Sequence, residues 1–221
     1  MVERAKKMAF AAGAWVFPGG RIDQADLELG AATGMEAAMV AAIRETLEEA
    51  AIPVGLSPAP DQARARALQD ELVADEPFEG ILRQNGISLD GAVLTPFARW
   101  VPKFHAVRRF DTLFFVAQCA PGEWEPRVIE GECTRAAWLS ATELLELDRL
   151  AEARLIFPTR RNLERLAQHS SFEEIRADAL AHPIEPITPW VEQHGSEQFI
   201  TIPADHGYPV TKEKLDGLWR G

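Results

Sequence analysis

Phe17-Pro18-Gly19-Gly20 and, after a gap, Arg44-Glu45-Thr46-Leu47-Glu48-Glu49-Ala50-Ala51-Ile52 are the stretches that decide how this chain folds. Met39, Ala42, Ile43, Thr46, Leu47 and Ala50 recur at helical spacing and predict one apolar-to-neutral face. Glu45, Glu48 and Glu49 stand at i, i+3 and i+4, together on a face roughly opposite the apolar one. Three carboxylates at that spacing repel one another unless a cation neutralises them. Oxygen-only ligands suit magnesium or manganese, hard ions that also bridge phosphate oxygens. Arg44, one helical turn before Glu48, is placed to hold one carboxylate. An isolated Arg-Glu-x-x-Glu-Glu is more often a solvated acidic face. The Pro18-Gly19-Gly20 turn ahead of it shifts the reading toward a site, because such a turn lets backbone approach a ligand.

Working outward, Thr33 and Glu36 have capping-box spacing and predict a helix starting there, with Pro53 ending it. A strand is expected over residues 9–17, running into the turn. Downstream, a helix is expected over 59–75 with Leu68, Leu72 and Val73 inward. Strands follow over 92–101, 113–119 and 134–139, with Phe114, Phe115, Val116 and Ala117 apolar enough for burial on both faces. Ser140 and Glu143 form another capping box, opening a short helix through Leu147. Pro158 precedes an amphipathic helix, and Ser171 with Glu174 caps the next. Pro183, Pro186 and Pro189 then lead to a short strand over 199–202. The expected organisation is one α/β domain over 1–153 and a helix-rich C-terminal extension over 154–221, packed on it.

Of 221 residues, 47% are hydrophobic and 26% charged, ordinary for a globular chain. The formal net charge of -11 argues against a basic nucleic-acid or anionic-membrane surface, but not against an acidic site that reaches phosphates through metal ions. Cys119 and Cys133 have no zinc spacing and read as free thiols in a reducing compartment. No apolar run is long enough to span a bilayer and Met1-Val2-Glu3-Arg4 opens no signal sequence, so the cytoplasm is expected.

Turn and helix together resemble the Nudix box, G-x5-E-x7-R-E-U-x-E-E-x-G-U, through Gly20, Arg44, Glu45, Leu47, Glu48, Glu49 and Ile52. The chain departs from that pattern in three places. Asp26 stands for the first glutamate, 17 residues instead of seven separate it from Arg44, and Ala51 replaces the glycine. Alanine in a left-handed exit costs about 1 kcal/mol, so the expectation is a slightly different exit, stopped by Pro53. The role of Asp26 and the shape of the ten-residue insertion stay open.

Residues 17–26 are also similar to the F-P-G-G-x-x-D-x-x-D of coenzyme A diphosphatase-type Nudix proteins. The insertion, Arg108-Arg109-Phe110-Asp111-Thr112 and the tail resemble the acyl-CoA diphosphatase group of peroxisomes and its bacterial relatives. The upstream part of that signature is met by Arg4 and Gly13, while Ala5 and Ala9 replace its serine and second arginine.

The resemblance implies a Nudix α/β/α sandwich with a mixed sheet. It implies Mg2+- or Mn2+-dependent hydrolysis of a phosphoanhydride bond in a nucleoside diphosphate linked to X, with coenzyme A or acyl-CoA first among substrates. ADP-ribose, a nucleotide sugar, or a Nudix-like protein that binds a nucleotide without cutting it are the alternatives. Glu45, Glu48 and Glu49 would hold metal and act with Arg44, assisted by Glu132 and a carbonyl of Gly19 or Gly20. Arg4, Gly19, Gly20, Arg108 and Arg109 would bind the small-molecule substrate. Glu130 competes with Glu132, which has the better spacing before Trp138. His105, and Trp15 or Trp100 as base-stacking residues, are weaker candidates, for which structural roles are the simpler reading. Residues 1–4 look like the tail of a first strand whose beginning is absent, so the 199–202 strand or a second copy in a homodimer is expected to cover the gap.

Overall fold

The segment between the Gly20 turn and the glutamates is helical: α1, Gln24–Thr33, precedes α2, Ala37–Ala50. The computed structural model describes residues 1–8, 11–102, 111–122, 124–129 and 131–215. Asp23 caps α1. Its carboxylate accepts from the Asp26 N–H at 2.8 Å, and the Asp26 carboxylate accepts from the Asp23 N–H at 3.0 Å, a reciprocal capping box. Gly34, with φ at 73°, closes α1 in a left-handed turn that any side chain would strain. The expected Thr33–Glu36 box is therefore not the start of α2. Thr33 is the last residue of α1, and its hydroxyl donates back to the Leu29 carbonyl at 2.8 Å. Glu36 caps α2 without a side-chain bond.

The exit of α2 also differs from expectation. Ala51 adopts φ 56° and ψ 31°, the left-handed turn itself, and its N–H bonds the Leu47 carbonyl. The strain that alanine carries there is accepted because its methyl group is fully buried. Along α2 the buried stripe is Val40, Ile43, Leu47 and Ala50, so Val40 takes the place expected for Met39 and Ala42.

The chain divides into two compact units, residues 1–94 with 117–138 and residues 95–116 with 139–221. The first opens with β1, Val2–Arg4, and β2, Trp15–Val16. After α2 come β3, Leu56–Ser57, α3, Gln62–Val73, α4, Phe78–Gln84, and β4, Ser88–Leu89. β5, Leu94–Trp100, and β6, Thr112–Ala117, follow in sequence before β7, Cys133–Ala136, returns to the first unit. β1 lies between β2 and β7, antiparallel to both. Both of its edges are thus paired, and no other element is needed to cover it. Val2, Ala50, Ile52 and Cys133 form a buried cluster that ties this sheet to the end of α2. On α3, Leu68 and Leu72 face inward but Val73 is 42% exposed. One position past Leu72 on a helix turns a side chain by about 100°, off the buried face.

In the second unit β6 is an edge strand of the sheet β6-β5-β8, where β8, Pro186–Ile187, runs parallel to β5. The edge position explains why Phe114, Phe115 and Val116 are half-buried rather than buried on both faces. α5, Ala141–Arg149, starts at Ser140, whose hydroxyl accepts from the Glu143 N–H. α6, Phe157–Leu166, carries Pro158 in its first turn, and α7, Phe172–Ala181, is capped by Ser171. β9, Trp190–His194, β10, Glu197–Thr201, and β11, Lys212–Lys214, make an antiparallel sheet with β10 central. The expected strand at 199–202 is β10, and it pairs with β9 and β11, not with β1.

The core of this unit gathers Phe97, Trp100, Ile187, Ile202 and Tyr208. Arg165 crosses it with 1% exposure, bonded to Asp178 at 2.7 Å and to the Phe97 carbonyl at 2.8 Å. Seven α-helices and four sheets among the described residues make the architecture mixed α/β, as expected.

Candidate functional site

Asp26 is 1% exposed and grips Arg44 in a two-pronged ion pair. Arg44 Nε reaches Oδ1 and Nη2 reaches Oδ2, both at 2.9 Å. The carboxylate that stands one methylene short of a glutamate therefore has a defined role, anchoring Arg44 to the start of α1. The rest of the guanidinium faces α2: Nη1 lies 3.0 Å from Glu45 Oε1 and 3.1 Å from Glu48 Oε2. Nη2 also donates to the Arg21 carbonyl at 3.1 Å and stands 3.8 Å from Asp23. One cation is thereby met by four carboxylates. Burial opposes its charge, yet the Asp26 hydrogen bond and the charges of Glu45, Asp26 and Asp23 raise the Arg44 pKa.

The turn before α1 closes on the same helix. The Gly19 N–H donates to Glu49 Oε2 at 2.9 Å. Gly20 packs against the Glu45 carboxylate, so that any Cβ at position 20 would collide with it. Glu45 is pushed up to about 7, first by burial and then by Glu49 and Glu48, against the pull of Arg44. Glu49 is also raised by burial, with the Gly19 N–H and Arg4 pulling it back and Glu132 adding to the rise. Both shifts come first from burial, with neighbouring acids adding to it.

Arg4 and Glu132 sit beside Glu49. Their side chains are 3.8 Å apart, with Glu132 70% exposed and Arg4 Nε buried without a hydrogen-bond partner. The Cys133 thiol donates to Glu49 Oε1 at 3.7 Å and is pushed up to about 12 by burial and by Glu49, so it is held as a thiol. Glu45, Glu48, Glu49, Arg44, Gly19 and Gly20 thus come together, with Arg4 and Glu132 next to Glu49. Arg108, Arg109, His105 and Glu130 lie outside the described residues. Asp111 is paired with Arg99, at 2.8 and 2.6 Å. Trp15 and Trp100 are 4% and 1% exposed, packed in cores and not presented for stacking on a base.

The donor chemistry fits a hard divalent cation. The carboxylates and turn carbonyls are oxygen donors only, the site carries surplus negative charge, and glycine keeps the space beside Glu45 clear. The carboxylates are not gathered: among the described residues no group of three His, Cys, Asp or Glu side chains stands at metal-holding spacing. Arg44 spans Glu45 and Glu48 instead. One residue of this region went unnoticed in the sequence, and another was noted only within the Phe17-to-Asp26 pattern and not as a helix cap. Asp23 carried a signal in Asp23-x-x-Asp26, itself a capping-box spacing. Gln69 carried one as a polar residue on the apolar face Ala65, Leu68, Leu72 of α3.

No family model matches the chain, and no curated protein matches it. Among solved structures it is similar to a NUDIX hydrolase from Alicyclobacillus acidocaldarius, at 28% identity, over 80% of this chain and 86% of that one, with a TM-score of 0.62. The likeness extends to the mixed α/β fold and supports the Nudix superfamily. No helix among the described residues is long and apolar enough to cross a membrane.

Proposed function

We propose that the protein hydrolyses a phosphoanhydride bond in a nucleoside diphosphate linked to a second group, with Mg2+ or Mn2+ bound by Glu45, Glu48 and Glu49. The observation that carries this reading is the acid surplus on α2, with Glu45 and Glu49 against the Gly19–Gly20 turn and Arg44 shared between Glu45 and Glu48. Glu132 and a carbonyl of the turn complete the set of metal ligands. When bound there, such a cation would neutralise the diphosphate and lower the pKa of water. Arg44, fixed by Asp26, keeps Glu45 and Glu48 turned toward each other, and Gly19 does the same for Glu49. One of the three glutamates accepts the proton of the attacking water. Arg4, with its unsatisfied Nε, binds the substrate phosphates.

Coenzyme A or acyl-CoA is the first substrate class, supported by the Phe17-to-Asp26 pattern and Arg4. Phosphate-ester release from coenzyme A, acyl-CoA, ADP-ribose and nucleotide sugars with Mg2+ tests both levels. The expected order places coenzyme A above ADP-ribose in kcat/KM, and the reverse order moves the assignment to ADP-ribose. A second reading, a protein that binds the nucleotide without cutting it, is supported by Asp26 and Ala51, the departures from the box. Binding of the panel with no turnover at any metal concentration establishes that reading instead.

A further inference from the structure

We infer that Gln69 is a positioning residue for the glutamates of α2, holding the C-terminal end of that helix so that Glu48 and Glu49 take a divalent cation. The inference rests on the metal-dependent reading above. Gln69 is fully buried in α3, on the face that also carries Ala65, Leu68 and Leu72. A leucine or methionine would fill that place without the cost of desolvating an amide. What offsets the cost is a complete set of hydrogen bonds. The Gln69 amide nitrogen donates to the Glu48 carbonyl at 2.7 Å and to the Arg127 carbonyl at 2.8 Å. Its oxygen accepts from Arg127 Nε at 2.6 Å, which fixes which way the amide points.

The carbonyls at the end of a helix have no partner within it and must find one outside when buried. Here the Ala50 carbonyl accepts from the Arg127 N–H at 2.9 Å, and the Glu48 carbonyl accepts from Gln69. The Ala50 carbonyl thus reaches residue 127 directly, and the Glu48 carbonyl reaches it through Gln69. Arg127 is held in turn by Asp70 at 2.6 Å and by the Arg66 carbonyl at 2.8 Å. The Glu48 peptide joins the two glutamates of the site. Fixing its carbonyl sets the rotation of α2 about its own axis at Glu48 and Glu49, next to an exit at Ala51 that is strained and so prone to relax. Partners of this kind, one step removed from a metal, set ligand geometry and affinity.

Mn2+ binding by isothermal titration calorimetry without substrate, together with kcat and KM, is measured for the wild type, Gln69→Met and Arg127→Met. Circular dichroism checks that each is folded. Gln69→Met is expected to weaken Mn2+ affinity by at least about tenfold and to lower kcat with little change in KM. Arg127→Met, which frees the amide to turn but keeps the N–H to Ala50, shifts both in the same direction by less. A purely structural role lowers the fraction of binding sites and leaves the affinity unchanged. Wild-type affinity in the folded variants overturns the inference. Should Gln69→Met fail to fold, Arg127→Met, whose side chain is partly exposed, decides alone. A wild type that neither binds Mn2+ nor hydrolyses any diphosphate overturns the proposed function, and this inference with it. A working wild type with unaltered variants overturns the inference only.

Discussion

Arg165 in the second unit is met by one aspartate side chain, two main-chain carbonyls and two aromatic faces, while Arg44 in the first is met by four carboxylates. Around Arg165 the charges balance. Asp178 takes its Nε, the Phe97 carbonyl takes an Nη, and the guanidinium stacks 4.2 Å from the Phe97 ring. Nothing is left over for a ligand. Around Arg44 the acids outnumber the cation, and Glu45 and Glu49 have pKa values raised first by burial and then by neighbouring acids, Glu49 and Glu48 for Glu45 and Glu132 for Glu49. A matched buried ion pair secures a fold. An unmatched one holds charge in readiness for a cation from outside, at a cost to the fold that bears it.

The sharpest break of this contrast is Arg165→Met. It leaves Asp178 largely buried with only His182 and His169 beside it, and unfolding in urea should show a loss of about 3 kcal/mol. A loss under about 1 kcal/mol would mean that the pair is not the structural element described. Glu48→Gln and Glu49→Gln come next. Each should lower turnover by at least roughly a hundredfold while circular dichroism stays as in the wild type, because they remove metal charge and not core packing. Near-normal turnover in both would end the proposed mechanism.

Glu45 gives a smaller effect of opposite sign. Its pKa is about 7 in the folded chain against 4.5 for the ordinary group, so the folded state binds more protons between those values. The stability it contributes is present below the lower value and is lost as pH rises through the upper one. Metal-free protein should therefore lose stability on that rise, and Glu45→Gln should flatten the loss and raise the midpoint near neutral pH. Glu164, also pushed up to about 7 by burial, adds a slope of the same sign, so the readout is the difference between wild type and variant. No difference would show that Glu45 is not strained by its neighbours. Smallest is Ala51→Gly. Relief of the left-handed turn is worth about 1 kcal/mol, and loss of a buried methyl costs about 0.8 kcal/mol. The net change in stability should stay within about 0.5 kcal/mol, and a large loss would show that packing dominates at that corner.

α2, its face of glutamates and the starts of α5 and α7 were legible in the sequence because they rest on short-range chemistry: helical period, and hydroxyls three residues before an acid. α1 was not read, although Asp23 and Asp26 have the same spacing as Thr33 and Glu36. Gly34, which ends one helix before the other starts, was the residue that separated the two. Val73 and Val116 were misplaced because burial at a helix end or on an edge strand depends on what lies alongside, which local pattern does not contain. β9 and β11 carry polar sequences, Glu192-Gln193-His194 and Lys212-Glu213-Lys214, and owe their pairing to β10 between them. The grip of Asp26 on Arg44 spans 18 positions, and Gln69 reaches Glu48 across 21, distances over which spacing rules say nothing.

The ion pair of Asp26 with Arg44 has one more effect. The chain leaves that pair at the first turn of α1 and comes back to it midway along α2, so everything between hangs from a closed neck. The exposed corner at residues 31–34 behaves as a cassette: doubling its length adds only about 0.6 kcal/mol of closure entropy and leaves Gly20 facing Glu45. A fluorescent tag or a binding peptide grafted at that corner would ride on the enzyme without touching its chemistry, which makes it the natural handle for engineering this molecule.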